Sequence, residues 1–297
     1  MAIDFKAIDA LFEKADEDGR TFLFEHEVYR MLQAAGLKPP RFRFVAKGEV
    51  VRAKDLTGFG SSGLVLKIVA PMIQHKTDVG GVAFVENTLS AVNAGIRKMM
   101  ADVPKRFQEW SRRFDRQGTS GEFPLEGIRK DIRGVLLCEK VEFDRFGFGS
   151  ELLVGIRHSR EFGPIVTLGA GGVEVEYMNE RIKEGAAASI ASAHLLRKKE
   201  VLAHLEPLAV FDKLVHPFRG RAPVLGAAEL RDVHFGLCRL AAHYSPFGPG
   251  GRYVIEEAEV NPFVVKDGEL LPLDGLCRFS KAHVDIQGRP FAGIARL

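Results

Sequence analysis

The strongest constraint on what this chain can fold into is a lysine set inside a strand-like run. Residues Leu64–Val85 read LVLKIVAPMIQHKTDVGGVAFV. Leu64–Val69 is a short apolar run whose only charge is Lys67, and such runs read as buried strands. Pro71 ends it, and a polar loop with His75, Lys76, Thr77 and Asp78 follows. A second apolar run, Val82–Val85, comes after Gly80 and Gly81. The unit is strand–loop–strand. A buried ammonium is costly unless it meets an anion. Adjacent glycines let main-chain N–H groups approach an anion or take positive φ. Two readings stand at this point. Either Lys67 and the loop face a negatively charged ligand, above all phosphate, or Lys67 snorkels from an edge strand beside a solvated turn.

A second constellation lies near the other end of the chain. Glu257-Ala258-Glu259-Val260-Asn261-Pro262 alternates, which puts Glu257, Glu259 and Asn261 on one face of a strand. A hairpin returning through Asp267-Gly268 would bring Asp274 beside them. A few oxygen donors on adjacent strands suit Mg²⁺ when phosphates and water complete its shell; a solvated acidic sheet face is the plainer alternative. A third element runs from Glu151 to Gly155, through Phe162-Gly163-Pro164, to Gly169-Ala170-Gly171-Gly172 and the alternating Val173–Met178. It reads as strands joined by a Gly-rich turn, either a tight structural turn or a cradle of amides for phosphate.

The rest of the chain mixes helices and strands. Apolar residues at helical spacing predict helices over 3–14, 24–35, 90–100, 186–208 and 227–244, with another turn in 50–56. Strands are expected over 41–45, 135–141, 151–156, 162–168, 173–178, 253–265 and 270–274. Asp16, Asp18, Gly19 and Glu25 fall at calcium-loop spacing, but Lys14 occupies the first ligand position, so a Gly-terminated helix end is the better account. Residues 102–133, rich in Arg, Lys, Gly and Ser, read as an insertion with a solvated surface on which Phe107 and Trp110 offer a docking spot. At 297 residues and net charge +3, nothing points to nucleic acid, and no apolar run reaches the ~20 residues of a membrane span. Three scattered cysteines argue for a reducing cytoplasm and against a disulfide framework. The class expected is a two-lobed α/β or α+β enzyme.

VLKIVAPMIQHKTDVGGV resembles the signature of the ATP-grasp subunit of ADP-forming acyl-CoA synthetases, a K-I-x-x-P-x-I-x-H-K-T-D-x-G-G-V run. E-V-N-P followed by L-D-G is similar to the metal-binding strands of that family and of succinyl-CoA synthetase β subunits. E-L-x-V-G, F-G-P-x-V and G-x-G-G-x-x-V-E resemble its second lobe, and residues 19–42 its N-terminal helix and first strand. The resemblance implies an ATP-grasp fold of two lobes with a nucleotide cleft between them. It implies ATP/ADP and Mg²⁺ as cofactors and acyl-CoA + ADP + phosphate ⇌ carboxylate + CoA + ATP as the reaction, through phosphohistidine. Carried over by position, His75 relays phosphate and Lys67 grips nucleotide phosphates. Glu139 and Val141 meet adenine and ribose, and Glu151, Gly171 and Gly172 lie along the nucleotide. Asn261 and Asp274 hold magnesium with help from Glu259.

The domain expectation is an N-terminal helix (1–21), a small lobe with the histidine loop (22–101), the insertion (102–133), a large lobe with the metal site (134–280) and a tail (281–297). No Rossmann-like G-x-G-x-x-G follows any strand, so the CoA-binding, α-type partner is expected on another chain, with acyl-CoA or carboxylate reaching the site through it and a homo-dimer or hetero-oligomer as the assembly. The family has an arginine where Glu184 stands here, with Arg181 and Lys183 nearby. Two rivals follow: a free-standing ATP-grasp carboxylate–amine ligase with no need of His75, and a nucleotide-binding module without turnover.

Overall fold

The computed structural model describes residues 1–60, 63–73, 75–114, 123–143, 147, 149–159, 161–172, 185–217, 220 and 222–282. In chain order its first elements are α1 (Phe5–Glu17), β1 (Phe22–Leu23), α2 (Glu25–Ala34), β2 (Phe42–Ala46), β3 (Leu64–Val69), β4 (Val82–Val85), α3 (Leu89–Phe114), α4 (Leu125–Asp131) and β5 (Gly134–Glu139). There follow β6 (Glu151–Ser159), β7 (Gly163–Ala170), β8 (Ala188–Ser192), α5 (Val201–Leu205), α6 (Phe211–Val215), α7 (Ala227–His243), β9 (Tyr253–Lys266), β10 (Glu269–Pro272) and β11 (Leu276–Lys281). The mixed α/β class agrees with the sequence. The chain divides into two compact units, Pro40–Glu142 and Met1–Pro39 joined with everything from Phe143 onward. This division is not the serial one expected at 22, 102 and 134. Residues 22–39 group with the far end of the chain because β1 pairs with β11, Phe22 opposite Arg278 and Leu23 opposite Cys277.

The Pro40–Glu142 unit is a four-stranded antiparallel sheet in the order β2-β5-β3-β4. Alternation along the strands sends Val45, Leu64, Leu66, Ile68, Val135 and Leu137 to one face. There they pack with Val92, Met99, Val103 and Phe107 of α3 and with Ile128 of α4. Residues 102–114 and 123–133 are therefore no solvated insertion. Val103 and Phe107 extend the apolar face of Val92, Ile96 and Met99 at three- and four-residue steps, so α3 runs on past 100, through Pro104, to Phe114. Phe107 is buried and Trp110 is half-buried against this core, which removes them as a free docking spot.

The other unit carries a seven-stranded sheet in the order β1-β11-β9-β6-β7-β8, with β10 also on β9, and every pairing among the described residues is antiparallel. Val154, Ile156, Val166, Leu168 and Val260 are buried on one face. The opposite face shows the row Leu276–Glu259–Gly155–Thr167–Ile190, read across five strands. Helix α1 offers Ile8, Phe12 and Ala15 at helical spacing, and Phe12 meets Tyr244 at 5.1 Å and Phe279 at 4.7 Å. Asp4 caps α1 by accepting the Ala7 N–H at 3.0 Å, and Gly19 at φ +70° ends it, as the rejection of calcium required.

The helix expected over 186–208 is absent as such. Ala188–Ser192 is β8, with Ser189 and Ala191 buried and Ala188 and Ile190 exposed, a two-residue period that ladder pairing with β7 selects over alanine's helical propensity. Only Val201–Leu205 is α-helical there. Strand β11 was not anticipated. The strand expected over 173–178, the positions of Arg181, Lys183 and Glu184, and the tail beyond residue 282 lie outside the described residues.

Candidate functional site

In the Pro40–Glu142 unit, Lys67 lies on β3 between β4 and β5, opposite Val82 and Leu136, and is 7% exposed. It is on an inner strand, so the snorkelling-edge reading fails. Its side chain emerges on the face away from the α3-packed core, the face shared with Phe42, Phe44, Leu136 and Cys138. Val65, on the same face, is opposite Phe84, which is 70% exposed. A cation beside aromatic and aliphatic side chains is what a nucleotide's phosphates and base each require.

The β3–β4 loop holds His75 exposed. Both ends of the loop are tied down: the Met72 N–H donates to Asp131 Oδ2 at 2.8 Å, and the Gly81 N–H donates to the Lys76 carbonyl at 2.6 Å. The glycine pair serves the turn itself. Gly80 takes φ +70°, and a Cβ on Gly81 would stand 2.6 Å from Ile68 Cγ2. The His75 ring lies 5.7 Å from the Trp110 ring, which stacks in turn on Phe107. Sequence reasoning missed Trp110 and Asp131 as supports of this loop. The apolar step from Val103 to Phe107 and Trp110 carried the signal for the first, and nothing in the spacing carried one for the second.

Glu139 closes β5, where its N–H donates to the Arg41 carbonyl at 2.8 Å, and the Lys140 N–H donates to Gly63 at 3.1 Å. The end of β5 at Glu139 and Lys140 is thereby held to Arg41 and to Gly63, just before β3. Gly60 is crowded by the Glu139 carboxylate, its built Cβ 2.5 Å from Oε1.

In the other unit, hydrogen bonds link Gly171 to Glu151 and Gly172 to Asn261, and strand register sets Asp274 across from Asn261, with Glu259 two residues back on β9. The Gly171 N–H donates to the Glu151 carbonyl at 2.7 Å, and the Gly172 N–H points at Asn261 Oδ1 at 3.4 Å. Gly172 has φ +87°, and a Cβ there would lie 2.5 Å from Glu151 Oε2. Asp274 falls between two ladders, Pro272 opposite Phe263 on one side and Leu276 opposite Glu259 on the other, which sets it across from Asn261. The hairpin expected from Asp267-Gly268 is formed, and Asp267 takes φ 52° in it. Glu257, on the same face, is engaged by Arg157 at 2.7 Å.

These hard oxygen donors fit magnesium. Among the described residues no three His, Cys, Asp or Glu side chains cluster as a metal site. Two carboxylates and an amide oxygen are a donor set that phosphate and water could complete around Mg²⁺. Cys138, Cys238 and Cys277 are buried and form no disulfide, and burial pushes the Cys238 thiol up to about 12 and the Cys277 thiol up as well, so neither of these two is poised as a nucleophile. No helix among the described residues is long and apolar enough to cross a membrane.

Comparison with known proteins adds a second line. A family model described as an ATP-grasp domain matches residues 14–113 and 127–278. The 4-hydroxybutyrate–CoA ligase (ADP-forming) of Nitrosopumilus maritimus is 28% identical over 258 residues, 86% of this chain but only 30% of that protein. The β subunit of acetate–CoA ligase (ADP-forming) I of Pyrococcus furiosus is 24% identical over 264 residues, 89% of this chain and 94% of that one. Among solved structures, acetyl-coenzyme A synthetase 1 of Ca. Korarchaeum cryptofilum, in complex with coenzyme A, acetyl-coenzyme A and a phosphorylated phosphohistidine segment, superposes with a TM-score of 0.65 at 23% identity, covering 92% of this chain and all of that one. The chain is thus homologous to subunits and domains of ADP-forming acyl-CoA synthetases, and spans about a third of the length of the N. maritimus ligase. With two antiparallel sheet units of the expected kind and the domain matched over most of its length, this protein belongs to the ATP-grasp domain family.

Proposed function

We propose that this chain is the nucleotide-binding subunit of an ADP-forming acyl-CoA synthetase, catalysing acyl-CoA + ADP + phosphate ⇌ carboxylate + CoA + ATP with a CoA-binding partner subunit. The observation that carries the reading is His75: an exposed imidazole in a loop that is anchored at both ends and leaves the strand of buried Lys67. An exposed nucleophile on a braced loop can meet phosphoryl donors and acceptors that are not bound at one point.

In the ATP-consuming direction a His75 ring nitrogen attacks the γ-phosphorus, the bond from that phosphorus to the β,γ-bridging oxygen breaks, and ADP leaves with the electron pair. Lys67 holds phosphate charge as the bond breaks. Glu139 and Val141 present main-chain groups to the adenine and ribose. The Gly171-Gly172 turn, kept free of side chains above Glu151, lies along the nucleotide. Asn261, Asp274 and Glu259 would hold Mg²⁺, which supplies charge neutralisation for the polyphosphate. The acyl group and CoA belong to the partner, as suits a chain that matches a β subunit over 94% of its length. Three buried cysteines that form no disulfide support a reducing cytoplasm as its compartment.

The test is turnover of the purified chain with Mg-ATP, CoA and a carboxylate, with and without a CoA-binding subunit. The reading expects ADP release that requires the partner, CoA and carboxylate together. Partner-independent ADP release with an amine acceptor would instead identify a carboxylate–amine ligase. Nucleotide binding without turnover in either mixture would identify a non-catalytic module.

A further inference from the structure

We propose that Tyr29, on helix α2, is the positioning residue that holds Asp274 across from Asn261 and so sets the affinity for the divalent cation. The inference rests on the reading of Asp274 as a metal ligand. It starts from a gap in the sheet. The β9–β10 ladder ends at Pro272 opposite Phe263, and the β9–β11 ladder begins at Leu276 opposite Glu259. Leu273, Asp274 and Gly275 lie between the two: the flanking ladders set Asp274 across from Asn261, but no ladder pair holds the one residue of the three whose carboxylate matters.

What fixes it comes from 244 residues away. The Tyr29 hydroxyl reaches the Leu273 carbonyl oxygen at 2.6 Å and Glu25 Oε1, one helical turn back, at 3.0 Å. Tyr29 is fully buried. The Leu273 N–H donates to the Pro262 carbonyl at 2.9 Å, beside Asn261, so Leu273 is held from both of its peptide groups. On the other flank the same helix closes over Gly275. A Cβ at that position would stand 2.9 Å from Val28 Cγ1, 3.4 Å from the Glu259 carbonyl oxygen and 3.9 Å from Leu32 Cδ1. Asp274 itself is turned back so that Oδ1 accepts the Gly275 N–H at 2.8 Å. The residues on both sides of Asp274 are therefore gripped by α2, one by a hydrogen bond and one by packing. Partners of this kind orient a ligand without touching the metal, and their loss lowers metal affinity about tenfold or more.

The test uses Mn²⁺ as the probe, titrated by electron paramagnetic resonance in the presence of ADP against the full chain. Tyr29→Phe keeps the ring and removes only the hydroxyl; it is expected to weaken Mn²⁺ binding about tenfold. Tyr244→Phe is the matched control, because Tyr244 is an equally buried tyrosine whose hydroxyl donates to Asp9 Oδ1 at 2.8 Å in the same unit. It is expected to lose comparable stability and to leave Mn²⁺ binding unchanged. Gly275→Ala, which pushes the segment off Val28 without altering any hydroxyl, is expected to weaken Mn²⁺ as Tyr29→Phe does, and serves if that variant folds poorly. Asp274→Asn should weaken binding further. Wild-type Mn²⁺ affinity in Asp274→Asn overturns the metal reading and this inference with it. Loss in Asp274→Asn together with wild-type affinity in Tyr29→Phe or Gly275→Ala overturns the positioning role alone.

Discussion

Acidification probes the interior of the seven-stranded unit through His234. This residue lies on α7 with no exposed surface, and among the described residues neither ring nitrogen has a hydrogen-bond partner. Burial, and then the neighbouring His204 ring 6.4 Å away, push its pKa down from 6.5 to about 4. The unfolded chain therefore binds a proton near pH 6.5 that the folded chain refuses until about pH 4. Between those limits stability rises with pH, so the contribution is intact above the unfolded value and is lost progressively as pH falls. A difference of about 2.5 units at 1.36 kcal/mol each gives a total loss of about 3 kcal/mol, of which about 2 kcal/mol is gone by pH ~5. Urea denaturation followed by circular dichroism, at several values between about pH 7.5 and pH 4.5, measures it. His26 is likewise pushed down to about 4, chiefly by burial, so the wild-type curve alone mixes the two. The comparison that isolates His234 is with His234→Leu, which fills a similar space and cannot titrate. The wild type should lose about 2 kcal/mol more than His234→Leu on going from neutral to pH ~5. Parallel curves for the two proteins would refute the reasoning, because His234 would then titrate alike folded and unfolded.

Three further outcomes follow from the site. Lys67→Met should leave the fold intact and weaken ADP binding about tenfold or more, the range for a lost charge-assisted hydrogen bond; an unchanged calorimetric Kd would remove Lys67 from the nucleotide site. A Cβ at Gly171 would stand 2.6 Å from the Leu152 carbonyl carbon, so Gly171→Ala forces backbone apart and should cost about 1–3 kcal/mol in denaturant melts. An unperturbed midpoint would deny that close approach. Trp110 is the chain's single tryptophan and lies against His75, so His75→Ala should alter both its emission and its quenching by acrylamide; identical spectra would show that the two rings do not meet in solution.

Local patterns made much of this fold legible, and long-range pairings hid the rest. The apolar run around Lys67, the alternation from Glu257 to Asn261 and the helical period of Ala227–His243 each state their structure within one short stretch of chain. The acidic face was legible because a hairpin is local, so Asp274 could be placed across from Asn261 before any coordinates. Ala188–Ser192 misled because alanine and serine say little by themselves, and β7 decides their conformation. Residues 102–114 misled by composition: the charges on α3 outnumber its buried residues, yet Val103 and Phe107 keep the helical step to the core. The grip of Tyr29 on Leu273 could not be read at all, since nothing in the spacing links residues 244 positions apart.

The central claim is that His75 carries the phosphoryl group. The most direct measurement is intact-mass and peptide mass spectrometry of the chain after incubation with Mg-ATP, beside His75→Asn. Phosphate on His75 that is labile in acid and stable in base, and missing from the variant, is the result predicted. Phosphate on another residue, or equal labelling of His75→Asn, would contradict the account.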